Sequence, residues 1–268
     1  MKNSTKILLV MVGLALIGLG FINWYYLNQK NTEAIPETVY APPTAPAPLA
    51  DKNKPPAHYP VPQTGNDQSP AEALPSLAVS DTAMRNAMAK LINEKTILQY
   101  FYPNEIIRRL VVSIDNLPRE SVSAQLLPLK PVGGQFLVKE TDNTINLDAA
   151  NYQRYTPYVD LIQNLDTKKM VAVYQYFYPL FQQQYQELGY PEGYFNDRFI
   201  VVMDYMINLA DVSGPLPLVQ KHVLYQYADP DKESMSAGAK LLTRMGHENA
   251  LKIRDKLREI RTELTRQK

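Results

Sequence analysis

The chain has 268 residues with 28 Lys+Arg against 27 Asp+Glu, so it lacks the global positive field that gathers nucleic acid, and no nucleic-acid partner is expected. Cysteine is absent, which removes thiol nucleophiles, disulfides and cysteine-ligated metals together. Only three histidines remain, so no metal site and no cofactor is expected.

Ile7 to Leu27 reads ILLVMVGLALIGLGFINWYYL, 21 residues in which Asn23 is the one clearly polar side chain. A helix of about 20 such residues crosses the ~30 Å hydrocarbon core of a bilayer. Lys2 and Lys6 precede it, and Trp24, Tyr25 and Tyr26 crowd its far end, the pattern of a positive-inside start and an aromatic belt at the exit. The expectation is a short cytoplasmic N-terminus over 1–6 and an uncleaved transmembrane anchor over 7–27. A cleaved signal peptide is the rival reading, but no small-x-small site follows the apolar run.

Eleven of the 21 prolines fall between Pro36 and Pro75. Residues 28–79 are rich in proline and alanine and poor in large apolar side chains, so they cannot bury enough surface to offset the entropy of ordering. They read as a disordered spacer. In the polyproline II form, at about 3.1 Å per residue, such a tract reaches on the order of 100 Å.

Residues 80–268 are long enough for one domain with its own core. Ser80 is placed to cap a helix over DTAMRNAMAKLI, and a second helix starts near Glu94 and runs to about Phe101. PNEIIRRLVVSIDNL carries apolar residues at 106, 107, 110, 111, 114 and 117, a helical spacing that Pro118 stops. QFLVKETDNTINL reads as two short extended runs around Asp142-Asn143, a small β-hairpin and the main candidate for any sheet. Helices then resume over Asp148 to Asn164 and over KKMVAVYQYFYPLFQQQYQEL, the latter ending at Gly189 and kinked or split at Pro179. FNDRFIVVMDYMINL is the next helix, PLPLVQ a loop or short strand, and ADPDKESMSAGAKLLTRMG a helix ending at Gly246. In the last helix Ala250, Ile253, Leu257, Ile260 and Leu264 form a seam, with Arg254, Arg258 and Arg261 on the opposite, solvated side. The fold class is mainly α, a helical domain with a small β-hairpin, behind one transmembrane helix and a Pro-rich spacer.

Short catalytic motifs do not complete themselves. GHENA lacks the second histidine of HExxH, and there is no GxSxG elbow, Walker loop or GxGxxG. Carboxylate chemistry stays open because its residues can come from distant segments; Asp115, Asp197, Asp204, Asp229, Asp231 and Glu233 are available. Two polar groups stand out. Arg108, Arg109, Asp115 and Asn116 share one apolar helix, and Asn196, Asp197 and Arg198 open another. If these meet, they form either a ligand site or a buried ion-pair network, and a core strut is the favoured reading. Tyr174, Tyr178, Phe181 and Tyr185 line one helical side, where aromatic residues serve either a binding surface or a core.

RRLVVSIDNLPR, PVGGQFLV, YPLFQQQYQELGYPEGYFNDRF and LYQYADPDKESMSAGAKLLTRMG together resemble an uncharacterised bacterial family, domain of unknown function 3014 (DUF3014), over nearly all of 83–264. The resemblance implies a proteobacterial envelope protein and carries over no catalytic residue. Together with the anchor and spacer, it points to a bacterial inner-membrane protein with its N-terminus in the cytoplasm and its helical domain in the periplasm. That domain is expected to be a binding or adaptor module for another envelope protein or a cell-wall polymer. The alternative is a carboxylate-dependent cell-wall hydrolase, and self-assembly into a homo-oligomer through the last helix is a further option.

Overall fold

In the computed structural model the chain divides into two units, Met1–Pro56 and Ala57–Lys268. The structure describes residues 59–61, 74–212, 214–220 and 224–266, all within the second unit. The proposed anchor over 7–27 and most of the spacer lie outside the described residues. Among the described residues no helix is long and apolar enough to cross a membrane.

The domain is mainly helical with one small antiparallel sheet. Its longer helices are α1 (Ser80–Ala89), α2 (Glu94–Tyr100), α3 (Ile106–Asn116), α4 (Thr156–Gln163), α5 (Thr167–Glu187) and α6 (Phe195–Asn208). The short α7 (Pro230–Glu233) precedes α8 (Ala237–Met245) and α9 (His247–Arg266). Strands β1 (Val138–Thr141), β2 (Thr144–Leu147), β3 (Pro217–Gln220) and β4 (Tyr225–Tyr227) lie side by side in that order. The expected hairpin is β1–β2. Asp142 and Asn143 both adopt left-handed backbone (φ 51° and 61°), the two positive angles that a two-residue turn matched to strand twist demands. The sheet is larger than the sequence suggested, because β3 adds to β2 through Ile145 opposite Leu218, and β4 adds to β3.

Helix α6 is the hub. Phe195 at its start joins Ile107, Val111, Phe177 and Phe181 in a core shared by α1, α3, α5 and α6. Val202 and Met206 face Val159, Leu242 and Ala250 from α4, α8 and α9. Ile200 and Met203 meet Val171 of α5 and Leu264 of α9. Three faces of one helix are therefore buried, and each fully buried Phe, Leu or Ile in these groups contributes about 1.5–3 kcal/mol.

Several helices begin and end differently from the pattern in the sequence. Ser80 does not cap α1: a 3-10 turn over Leu77–Val79 precedes the helix, and the Ser80 hydroxyl donates back to the Leu77 carbonyl. The Asp148 to Asn164 run splits into a 3-10 stretch (Ala149–Arg154) and α4, because Pro157 near the start of α4 has no N–H to continue a preceding helix. The opposite holds at Pro179. Helix α5 runs unbroken past it, since Phe177, Leu180 and Phe181 on either side are buried and offset the missing hydrogen bond. The segment from Ala228 to Gly246 is not one helix either. Ser236 breaks it by capping α8, accepting from the Ala239 N–H at 3.0 Å.

Asp81 takes a role that local sequence does not indicate. Its carboxylate accepts the N–H groups of Glu105 (2.8 Å) and Ile106 (2.9 Å), closing the start of α3 from a different helix and holding Glu105 at φ 53°. Asp81→Ala is expected to cost about 1–2 kcal/mol, seen as a lower urea midpoint in equilibrium unfolding; an unchanged midpoint would show that water replaces the cap without loss.

Candidate functional site

Asp115 sits near the end of α3, on the side turned toward α6, and is 4% exposed. One carboxylate oxygen accepts from Arg198 Nε at 2.8 Å, the other from Arg119 at 2.9 Å and from the Tyr190 hydroxyl at 3.2 Å. Arg198 also donates to the Asp115 carbonyl at 2.7 Å, so it ties the C-terminal turn of α3 to the first turn of α6. Two partly exposed guanidinium groups around one buried carboxylate give a charge-assisted network. Asp115 and Arg198 thus come together.

The other polar residues of the two sequence groups go elsewhere. Arg108 is exposed and pairs with Glu105 one turn back at 2.6 Å. Arg109 donates to the carbonyls of Asn104, Gln125 and Leu127 and lies over the Tyr102 ring, fastening the 124–129 segment to α3. Asn116 bonds back to the Val112 carbonyl at 2.7 Å. Arg119 and Tyr190 complete the Asp115 network and belong to neither group. Arg119 is detectable in the sequence, being four residues beyond Asp115, whereas Tyr190 arrives from a loop after α5 and has no local signal.

Asn196 and Asp197 form a second centre at the start of α6. Asn196 is 1% exposed, and its carbonyl oxygen accepts from the Tyr174 hydroxyl at 2.9 Å. Its amide donates to the Tyr59 carbonyl at 2.8 Å, and Asp197 accepts the Tyr59 N–H at 2.6 Å. Tyr59 lies within the stretch assigned to the spacer, and its only sequence signal is a bulky ring among prolines and small residues. It packs against the cluster of Val171, Ile200, Met203 and Leu264.

The four aromatic residues on α5 divide between these centres. Phe181 stacks on Phe195 with ring centres 5.6 Å apart, and Tyr185 stacks on Tyr190 at 4.5 Å beside the Asp115 network. Tyr178 donates to Gln182 at 3.0 Å. Burial, and after it the Asp115 carboxylate, push the Tyr185 phenol up to about 12; burial also raises Tyr174 well above its ordinary value. These phenols therefore stay protonated near neutral pH. Phe181 and Tyr185 are buried, so of these four only Tyr174 and Tyr178 keep partial exposure.

The remaining candidate carboxylates are mostly engaged. Asp204 accepts from Arg261 of α9; Asp229 accepts from Lys232 and caps α7; Glu233 accepts the Tyr227 N–H at 2.8 Å. Of the three arginines expected on a solvated face of α9, Arg258 is exposed and Arg261 partly so; Arg254 departs from it, being 5% exposed and paired with Asp211, and Lys256, equally buried, donates to the Leu165 carbonyl. Both basic groups pin α9 to the domain. No group of three or more His, Asp or Glu among the described residues is arranged to hold a metal ion.

Among the described residues lie two open grooves. One, of about 430 Å³, runs between α1 and the C-terminal part of α5 and includes Asp81, Glu105 and Glu187, all occupied by internal hydrogen bonds. The other, of about 400 Å³, lies over the sheet between Phe136, Leu218 and Tyr225, with Arg154 and Arg244 at its margin. Arg154 is committed to the carbonyls of residues 132–134.

No curated protein and no solved structure is significantly similar to the chain. One family does match, through residues 106–261, a span that runs from α3, which carries Asp115, through α6 to most of α9. The chain belongs to the family described as protein of unknown function (DUF3014).

Proposed function

We propose that this protein is a single-pass inner-membrane protein of bacteria that presents its helical domain in the periplasm as a binding or adaptor module. Its partner is another envelope protein or the cell-wall polymer. The apolar 7–27 segment and the proline-rich stretch behind it support the placement. The observation that carries binding over hydrolysis is the use made of the carboxylates. Asp115, Asp204, Asp229 and Glu233 hold elements of the fold together, and Asp197 holds a chain segment. Of the candidate carboxylates, Asp229 is shifted downward, through the Lys232 ammonium. A general acid in glycoside hydrolysis needs the opposite shift.

The test combines topology and capture. A reporter fused after residue 268 is expected to be active only on the periplasmic side, and a photoreactive residue at the exposed Tyr194 is expected to yield a recurrent protein adduct in cells or to hold the domain on purified cell wall. Reporter activity confined to the cytoplasm, or neither form of capture, would overturn the reading.

A further inference from the structure

The contact between Tyr59 and the start of α6 has the form of peptide recognition. Two side chains read the N–H and the C=O of a single residue, Asp197 accepting at 2.6 Å and Asn196 donating at 2.8 Å, as one rung of strand addition does in other proteins. The ring of that residue rests on the Val171, Ile200, Met203 and Leu264 cluster from three helices. Pro60 follows. A residue before proline is biased to the extended form, and proline brings no N–H that needs an acceptor, so an aromatic–proline pair reaches the seat already in shape.

Asn196 is built for this role and not only for packing. Its side chain is nearly fully buried, the Tyr174 hydroxyl fixes its orientation by donating to the carbonyl oxygen, and its amide is thereby aimed at the docked backbone. Lifting Tyr59 away takes the carbonyl acceptor from that amide, which favours keeping the seat filled.

We propose that this seat is a docking site for an extended segment of another envelope protein that carries an aromatic residue followed by proline, and that Tyr59–Val61 is the chain's own copy of that ligand. The proposal rests on the adaptor reading and names the surface through which it works. Two hydrogen bonds and one ring make a small contact. The docked segment belongs to the same chain, and covalent linkage of that kind supplies an effective concentration on the order of mM. A free ligand must therefore outcompete the internal copy. Occupancy by a partner releases residues 59–61, so binding and spacer attachment exclude each other.

The experiment uses the full chain in detergent and a fluorescent peptide of residues 55–65, read by anisotropy. Tyr59→Ala, which removes the ring and leaves the internal copy only its two main-chain hydrogen bonds, is expected to bind the peptide about tenfold or more tighter than the natural chain. Adding Asp197→Ala is expected to weaken that binding about tenfold, with the circular dichroism of the domain unchanged. A peptide with alanine in place of its tyrosine is expected not to bind. Absence of binding to the Tyr59→Ala chain, or binding indifferent to Asp197→Ala, would overturn the proposal. Loss of self-association in Tyr59→Ala without peptide binding would give the seat to a second copy of the chain and overturn it equally. A photocrosslinked partner found despite any of these results leaves the adaptor reading standing without this seat, which separates the two failures.

Discussion

Asp115→Ala is expected to destabilise the domain by about 3 kcal/mol or more and to lower its Tm by roughly ten degrees. The carboxylate is 4% exposed and receives Arg119, Arg198 and the Tyr190 hydroxyl. Truncation leaves two guanidinium groups facing one another over a small void, and it is the unpaired charge, more than the lost attraction, that sets the cost. The tie between α3 and α6 loosens with it, because Arg198 bonds both the side chain and the carbonyl of Asp115. Asp115→Asn keeps the shape and one acceptor and is expected to lose less. Differential scanning calorimetry of the full chain decides the point, and an unchanged Tm for Asp115→Ala together with lost partner capture would make this network a binding site instead of a strut.

Gly246→Ala is expected to cost about 2–6 kcal/mol, the sum of two effects that act together. Gly246 joins α8 to α9 at φ 81° and ψ 162°, a region that side-chain-bearing residues scarcely enter. A Cβ there would also lie 2.5 Å from the Tyr152 ring. Backbone strain and overcrowding are each worth about 1–3 kcal/mol. Trimming Tyr152 in the same chain relieves the second cost and not the first, so a partial rescue is expected in urea unfolding. Gly133→Ala is the control: nothing lies within 4 Å of the place its Cβ would take and its backbone angle is ordinary, so its midpoint should stay within experimental error. Equal midpoints for Gly246→Ala and Gly133→Ala would refute the argument.

Helices whose burial follows their own periodicity were legible in the sequence. The apolar spacing of α3 placed Ile106, Ile107 and Val111 in the core, and α6 and the end of α5 at Gly189 came from equally local signals. The hairpin was legible because Asp142 and Asn143 tolerate positive φ. The rest of the sheet was not. Tyr225–Tyr227 is three residues long and becomes a strand only because β3 lies beside it. The breaks at Tyr155 and before Ser236 came from a proline and a cap inside stretches whose apolar pattern ran on.

The candidate site divides the same way. That Asp115 needed a cationic partner was readable from an acidic residue on an apolar helix. The FNDR segment was the readable candidate to supply it, and Arg198 does so from 83 positions along the chain, whereas Arg108, two turns back on the same face of α3, pairs with Glu105 instead. Tyr59 was the least legible of all. Its surroundings carry the composition of unstructured chain, and only the geometry of Asn196 and Asp197 gives it a place.

The order of the strands has a consequence for how fast the domain is made. Strands β1 and β2 are neighbours in sequence, and a hairpin of that kind closes within about 1–10 μs. Its junction with β3 is another matter: Ile145 meets Leu218 and Asn146 meets Pro217, about seventy residues on, with α4, α5 and α6 in between. Two residue pairs cannot offset the entropy of closing so long a loop until those helices have packed and shortened it. Completion of the sheet is therefore expected to be a late event in folding, and the newly synthesised chain exposes the open edge of β2 for as long as α6 remains unpacked.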